Sequence, residues 1–277
     1  MERIDLKKIL KEKAPGLYKW MPGFAIAILG KILHVKEMNQ VLENNQGIEG
    51  VEFAEVVIKH LNITRKVTFV NESALTKDEK YVFISNHPLG GLDGLIITSE
   101  ITRRFGPAKF IVNELLMAVE PLRDLFIPVH NLGTASKQSI GQIKNLYSSD
   151  FHVLNFPAGA CSRLIDGKIQ DLPWKKSFVK QAAQAGRKIV PIFFGGVNSK
   201  HFYWISKIRM ALGIKSFIEM ILLPDEMFRK RNATLEVIIG EPVSPEEITN
   251  SNLSAAQWCQ KFREIVYDNG ARYSTNR

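Results

Sequence analysis

Within Ser85-Asn-His-Pro-Leu-Gly-Gly-Leu-Asp-Gly94 a histidine, His87, is followed after five residues by an acid, Asp93. An imidazole backed by a carboxylate is the minimal general-base unit. The acid fixes the ring tautomer and offsets the positive charge gained when the ring takes a proton. Nothing in such a dyad requires a metal. Gly90, Gly91 and Gly94 would let the chain bend tightly around a substrate. The same residues also fit a plain turn, with His87 bonded to a backbone carbonyl and Asp93 capping a helix. A second stretch, Asn155-Phe-Pro-Ala-Gly-Ala-Cys-Ser-Arg163, runs from an apolar segment into small residues. Small residues admit a head group close to the backbone, and the Ser162 hydroxyl and Arg163 guanidinium could orient it. Ile189-Val-Pro-Ile-Phe-Phe-Gly-Gly196 would suit either an acyl chain or the core.

Chemistry of this kind must be held at the ends of regular elements. Five short apolar runs read as strands: Lys66-Val-Thr-Phe-Val70, Tyr81-Val-Phe-Ile-Ser85, Phe151-His-Val-Leu-Asn-Phe156, Lys188-Ile-Val-Pro-Ile-Phe-Phe194 and Leu235-Glu-Val-Ile-Ile239. Helical stretches separate them. The expected fold is therefore α/β, a mixed, mostly parallel sheet flanked by helices. Both candidate loops leave such strands, where backbone groups are unpaired and point outward. Trp174, Phe178, Ala182 and Ala185 share one helix face ahead of a stop at Gly186, and that helix displays Lys175, Lys176 and Lys180. Ser254 and Gln257 form a capping box for a last helix, whose Trp258, Phe262, Ile265 and Val266 keep helical spacing until Gly270. Residues 1–65 read as an N-terminal helical appendage, amphipathic at Ile4–Lys13 and Val51–Leu61, with a loop at 43–47. Residues 66–277 would form the domain that carries both candidate loops.

The 277 residues include 37 Lys and Arg against 28 Asp and Glu, a net charge of +9. Residues Arg163 to Arg231 hold 14 basic and 5 acidic side chains, so this stretch alone accounts for the excess. A basic face attracts an anionic leaflet, an acidic carrier protein or nucleic acid. Nucleic acid is set aside, because no zinc-finger, RNP-like or helix-turn-helix pattern accompanies the charge. Trp20-Met-Pro-Gly-Phe-Ala-Ile-Ala-Ile-Leu-Gly30 is too short to span a bilayer but, flanked by Lys19 and Lys31, could lie in its interface. The charged N-terminus lacks a signal-peptide pattern, so a cytoplasmic protein associated peripherally with the inner face of the membrane is expected. Two cysteines, Cys161 and Cys259, make no disulfide framework and no metal spacing.

Together these pieces resemble the glycerophosphate and lysophospholipid acyltransferase superfamily, over roughly Lys66 to Pro245. Asn86-His87 with Asp93 looks like its first block, Phe156-Pro157 with Gly159 and Ser162 like its third, Val190-Pro191 like its fourth and Ile239-Gly-Glu-Pro242 like a trailing strand. The form of the first block, with Gly195-Gly-Val-Asn-Ser199 and Phe202-Tyr203, is closer to the branch of putative hemolysins and ornithine- and glycine-type aminolipid O-acyltransferases. The resemblance implies transfer of a fatty acyl group from a thioester, on acyl carrier protein or coenzyme A, to a hydroxyl of a lysolipid. It implies no further cofactor and no metal. His87 would be the base and Asp93 its orienting acid. Asn86, Gly90, Gly91, Phe156, Pro157, Gly159, Ser162 and Arg163 would contact substrate.

Three departures bear on the acceptor. The family's usual first block has four residues between His and Asp rather than five, an extra residue that the paired glycines could absorb. The usual Glu and Arg of the third block are Ala158 and Cys161, with Arg163 displaced by two. The nearest second block, Leu125-Phe-Ile-Pro-Val-His130, lacks the family's Arg. Arg grips phosphate through a two-pronged fork that Cys or His cannot supply. A lyso-aminolipid is therefore expected over lysophosphatidic acid. A non-catalytic membrane-surface module is the competing reading, and a metal-assisted hydrolase on His87, Asp93 and His130 a more remote one. His130 and His152 lie near candidate segments, whereas His34, His60 and His201 read as structural or surface residues.

Overall fold

The computed structural model describes residues 3–13, 15–129, 137–214 and 218–275. Its strands are β1 (Thr64–Phe69), β2 (Val82–Ser85), β3 (Ala108–Asn113), β4 (Phe126–Val129), β5 (His152–Asn155), β6 (Arg163–Ile165), β7 (Lys168–Gln170), β8 (Ile189–Phe194) and β9 (Thr234–Ile239). Seven of them form one sheet in the order β1-β9-β8-β2-β5-β3-β4, while β6 and β7 pair as a separate hairpin. All neighbours in the large sheet run parallel except β8 and β9. This is the mixed, mostly parallel sheet expected from the alternating pattern. All four residues of β2 are buried, as a central strand covered on both faces must be.

The helices are α1 (Leu6–Lys13), α2 (Pro15–Trp20), α3 (Gly23–Ile32), α4 (Val35–Asn44), α5 (Gly50–His60), α6 (Leu92–Phe105), α7 (Lys137–Tyr147), α8 (Ser177–Gln184), α9 (Lys200–Ala211), α10 (Leu223–Phe228), α11 (Pro245–Asn250) and α12 (Ala255–Tyr273). On one face of the sheet Phe83, Leu154 and Ile192 pack with Phe53 and Ile58 of α5 and Ile96 and Ile97 of α6. On the other, Val82, Ile84 and Ile189 pack with Phe178 and Ala182 of α8 and Trp258 and Phe262 of α12. Two apolar layers around one sheet explain both the continuous apolar runs of the strands and the one-sided apolar faces of the helices. A division at residue 65 thus assigns α5 to the N-terminal segment although its side chains share the main core. Among the described residues no helix is long and apolar enough to cross a membrane.

Several elements depart from the sequence expectation for identifiable reasons. Strand β3 buries alternate residues, but Lys109 and Asn113 mask it as a polar stretch. Strand β4 contains Pro128, which is tolerated because β4 is a sheet edge. The β6–β7 hairpin turns on Asp166 and Gly167, both with positive φ, an Asp-Gly signal that the strand reading passed over. Helix α8 starts at Ser177, so Trp174 precedes it. Helix α12 has the expected Ser254–Gln257 capping box but continues past Gly270, whose bare α-carbon lies against the Phe193 ring. Helix α4 extends through Asn44 into the stretch expected to be loop, and Trp20–Gly30 is broken at Met21-Pro22 rather than continuous.

The basic stretch is not one surface. Arg163, Arg187 and Arg209 are buried. Glu219, fully buried on the 3₁₀ turn Ile218–Leu222, meets Arg163 Nη2 at 2.9 Å and Arg209 Nε at 2.8 Å, one guanidinium on each carboxylate oxygen. Arg163 also lies over the Phe202 ring, 5.2 Å from its centroid. A single buried acid between two buried cations cannot be neutralised without stranding both. Glu219→Gln should therefore cost about 3–5 kcal/mol of stability, measured as a lower urea midpoint. A midpoint equal to wild type would show that water reaches the cluster.

Candidate active site

The sequence turns sharply at the carboxyl end of β2, in the middle of the sheet. From there the chain crosses to β3 on one side, while β8 flanks β2 on the other. Such a crossover point in an open α/β sheet leaves a crevice beyond the strand ends. The Asn86 carboxamide closes one wall. Its Nδ2 donates to the Phe194 carbonyl at 2.9 Å and its Oδ1 accepts the Phe194 amide at 2.7 Å, binding the ends of β2 and β8 together. Gly90 then takes φ +91°, and a side chain there would strike Leu223. Gly91 is the N-cap of α6, which places Asp93 in the first turn.

The extra residue between His87 and Asp93 is absorbed in this bend, and His87 Nδ1 stands 3.0 Å from Asp93 Oδ2. Asp93 is fully buried. Its Oδ2 also accepts the amides of Leu89 at 2.9 Å and Gly90 at 3.3 Å, and its Oδ1 accepts that of Gly94 at 2.9 Å. Burial by itself would raise the Asp93 carboxyl. The His87 charge and hydrogen bond, with the Leu89 and Gly94 amides, outweigh burial and hold it below the usual carboxylate range. An ionised carboxylate can only accept, so the neutral imidazole carries its proton on Nδ1 and leaves Nε2 as the base. The dyad is thus formed and the plain-turn alternative is not: the His87 ring meets the Asp93 carboxylate rather than a backbone carbonyl, and the N-cap of α6 is Gly91, with no side-chain cap.

The second loop supports the ring from below. The Phe156 ring stacks on His87 at a centroid distance of 4.1 Å, and Phe110 meets Phe156 edge-on at 5.1 Å. Gly94 faces Phe110 so closely that an added Cβ would lie 2.2 Å from Phe110 Cε1. The turn after Phe156 is closed by Gly159, with φ +69° and its amide on the Phe156 carbonyl at 3.0 Å. The Pro157 carbonyl accepts the Lys175 amide at 2.9 Å, and the Ser162 amide donates to the His87 carbonyl at 2.7 Å. The two loops are thus bonded to each other.

Asp171, which the sequence reading passed over, ties these parts together. Its Oδ1 accepts the His87 amide at 3.2 Å and the Ser162 hydroxyl at 2.6 Å, and its Oδ2 accepts the Trp174 indole at 2.8 Å. Burial pushes its carboxyl up despite these donors. No sequence signal marked it beyond its being an acid in a basic stretch. The Ser162 hydroxyl is therefore directed at Asp171, and the Arg163 guanidinium at Glu219, rather than both at one open pocket. Asn198, in the loop after β8, was also missed. It is buried, and among the described residues neither atom of its carboxamide has a hydrogen-bond partner. Gly196 of that loop lies against Leu89.

The other histidines separate cleanly. His152 is buried at the start of β5, opposite to the dyad, so its proximity in sequence to the third block is not proximity in space. Its Nδ1 accepts the Tyr81 amide at 3.1 Å, Nε2 lies 3.1 Å from the Phe105 carbonyl, and burial lowers its pKa. His34 bonds Asp225 and His60 bonds Glu37, while His201 is exposed. His130 lies outside the described residues. Cys161 and Cys259 are free and buried, and burial raises both thiols to about 11.

The acyltransferase family's model matches residues 8–267. Over 265 residues the chain is 39% identical to the lyso-glycine lipid O-acyltransferase of Bacteroides thetaiotaomicron, covering 95% of this chain and 96% of that protein. It is 38% identical over 265 residues to the protein of the same name from Phocaeicola vulgatus, covering 95% and 94%. The crystal structure of the 1-acyl-sn-glycerophosphate acyltransferase PlsC from Thermotoga maritima superposes with a TM-score of 0.46 at 18% identity, over 90% of this chain and 98% of that one.

Gly94→Ala should push Phe110 and, through Phe156, the His87 ring, at a stability cost of about 1–3 kcal/mol. The catalytic rate should fall more than thermal stability does, and unchanged turnover would show that the aromatic stack does not position the base. Asp93, with its lowered pKa, stabilises the fold fully above the ordinary carboxyl value of about 3.9. That stability is lost as pH falls through the lowered folded value. Urea unfolding followed downward from pH 5 should thus steepen for wild type and lose that component in Asp93→Asn.

Proposed function

The chain belongs to the acyltransferase family, and on that premise we propose that it moves a fatty acyl group from a thioester to the hydroxyl of a lyso-aminolipid. The observation that carries the reading is the His87–Asp93 contact of 3.0 Å, at a strand end and with the acid fully buried. His87 Nε2 takes the proton of the acceptor hydroxyl as its oxygen attacks the thioester carbonyl carbon. The C–O bond forms, the C–S bond breaks, and the departing sulfur receives the proton from the imidazolium as the ester is released. Asp93 stays ionised throughout and offsets the charge on the ring. Positioned proton transfer supplies about 10²–10⁴-fold. Holding two substrates together at the strand ends must supply much of the remainder.

The placement of one guanidinium favours an aminolipid over lysophosphatidic acid. Arg163, the guanidinium nearest the third block in sequence, is fully buried against Glu219 and so is not held out to grip a phosphate. The donor is an acyl thioester of acyl carrier protein or coenzyme A, both anionic, and the exposed Lys175, Lys176 and Lys180 suit either. On this reading the protein works at a membrane surface, at its inner face where the thioester donor is made. On α3, Phe24, Ile28 and Ile32 recur at four-residue spacing and are 71%, 55% and 38% exposed, a stripe suited to lying in the interface, and Trp20, at the end of α2 before the Met21-Pro22 break, is 89% exposed.

Purified protein given an acyl thioester should acylate an N-acylated amino acid lipid bearing a free hydroxyl. His87→Ala should lower that rate by about 10²–10⁴-fold with an unchanged melting curve. Cells lacking the protein should accumulate the monoacyl aminolipid and lose the diacyl form. Full activity in His87→Ala, or an unaltered aminolipid profile, would contradict the proposal.

A further inference from the structure

A second set of exposed apolar side chains lies on α9 and the turn that follows. Trp204, Ile208 and Leu212 recur at four-residue spacing and are 63%, 37% and 69% exposed, with Met210, Ile214 and Ile221 open as well. The opposite side of the helix is buried, and it carries Ser206 and Arg209 as well as Phe202 and Tyr203. Ser206 and Arg209 both reach Glu219. An arginine is thus held inside while a tryptophan and a leucine face out, an arrangement that leaves an apolar patch to be covered.

The charge beside this patch identifies what covers it. From Lys200 to Ile214 there is no acidic residue, and Arg209 is turned inward onto Glu219, so the lysines carry the open charge. Lys200 and Lys207 are exposed on α9 itself. A second copy of the chain would bring the same lysines against them, whereas a surface both apolar and anionic matches both features. The patch is also continuous with the elements around the candidate site. The 3₁₀ turn Ile218–Leu222 leads directly into α10, where Leu223 packs on Gly90 of the His87 loop. From the same helix, Asp225 bonds His34 at 3.0 Å and Phe228 stacks on it at 4.2 Å, joining this region to the junction of α3 and α4.

We infer that α9 and its following turn seat on an anionic bilayer as a second contact beside the α3 stripe, next to the bend that holds His87. The inference rests on the lipid-acyltransferase reading and deepens it: the acceptor passes from the leaflet to the base without crossing water. The Lys200 and Lys207 ammonium groups pair with lipid phosphates while Trp204 and Leu212 enter the interface.

The test compares wild type with Trp204→Ser/Leu212→Ser, two open positions away from the dyad. Binding is measured to vesicles of phosphatidylglycerol mixed with phosphatidylcholine, and to phosphatidylcholine alone. Wild type should prefer the anionic vesicles and weaken with added salt, and the double variant should bind them about tenfold more weakly or worse. Transfer to vesicle-borne acceptor should fall in parallel, while transfer to acceptor dispersed in detergent should not change. Equal vesicle binding by the two proteins would overturn the inference, as would a wild-type dimer in solution that the double variant abolishes. Failure of the underlying reading shows separately, as absence of transfer by wild type in detergent.

Discussion

An ionised carboxylate in the middle of a protein is costly unless its surroundings replace the water it has lost. Asp93 is fully buried, and the bend from Asn86 to Gly94 is organised around meeting that requirement. Three backbone amides and one imidazole converge on its two oxygens. The amides come from a bend that needs a positive φ at Gly90 and from the first turn of α6, where free N–H groups and the helix dipole favour negative charge. The imidazole completes the set, and the same bond that satisfies the acid fixes the ring with Nε2 as its basic nitrogen. Stability of the bend and competence of the base are therefore one interaction seen from two sides.

The rest of the fold holds that interaction in place. Asn86 and Asp171 fix the backbone on either side of the ring, one by joining β2 to β8 and the other by gripping the His87 amide. The ring lies on Phe156, Phe156 on Phe110, and Phe110 on the bare α-carbon of Gly94, one residue after the acid. This closed circuit of contacts spans β5, β3 and the start of α6. Close packing of this kind leaves the imidazole few alternative positions. A general base needs that restriction, because proton transfer depends steeply on where the lone pair points.

Much of this was legible in the sequence because the signals were local. Short apolar runs marked five of the seven strands in the large sheet, and the glycine-rich spacing of His87 and Asp93 marked the site. Signals that depend on distant partners were not legible. Arg163 reads as a substrate-facing guanidinium until Glu219, more than fifty residues on, is found beside it in the core. Asp171 is one acid in a basic stretch until the His87 amide, the Ser162 hydroxyl and the Trp174 indole converge on it from separate parts of the chain. His87 follows its apolar run whereas His152 opens one, and because β2 and β5 pair in parallel, a long-range fact that neither run shows by itself, the two rings stand at opposite ends of the same sheet. Strands β3 and β4 were hidden by a lysine and a proline whose tolerance depends on sheet position.

The tautomer of the His87 ring decides whether Asp93 directs the base. Protein labelled with ¹⁵N in histidine, compared with His87→Gln to assign the signals, reports which nitrogen carries the proton when the ring is neutral. The structure predicts a proton on Nδ1, toward Asp93, a bare Nε2, and loss of that preference in Asp93→Asn. A neutral His87 protonated at Nε2, or a preference unaltered by Asp93→Asn, would contradict the assignment of His87 as the base that Asp93 directs.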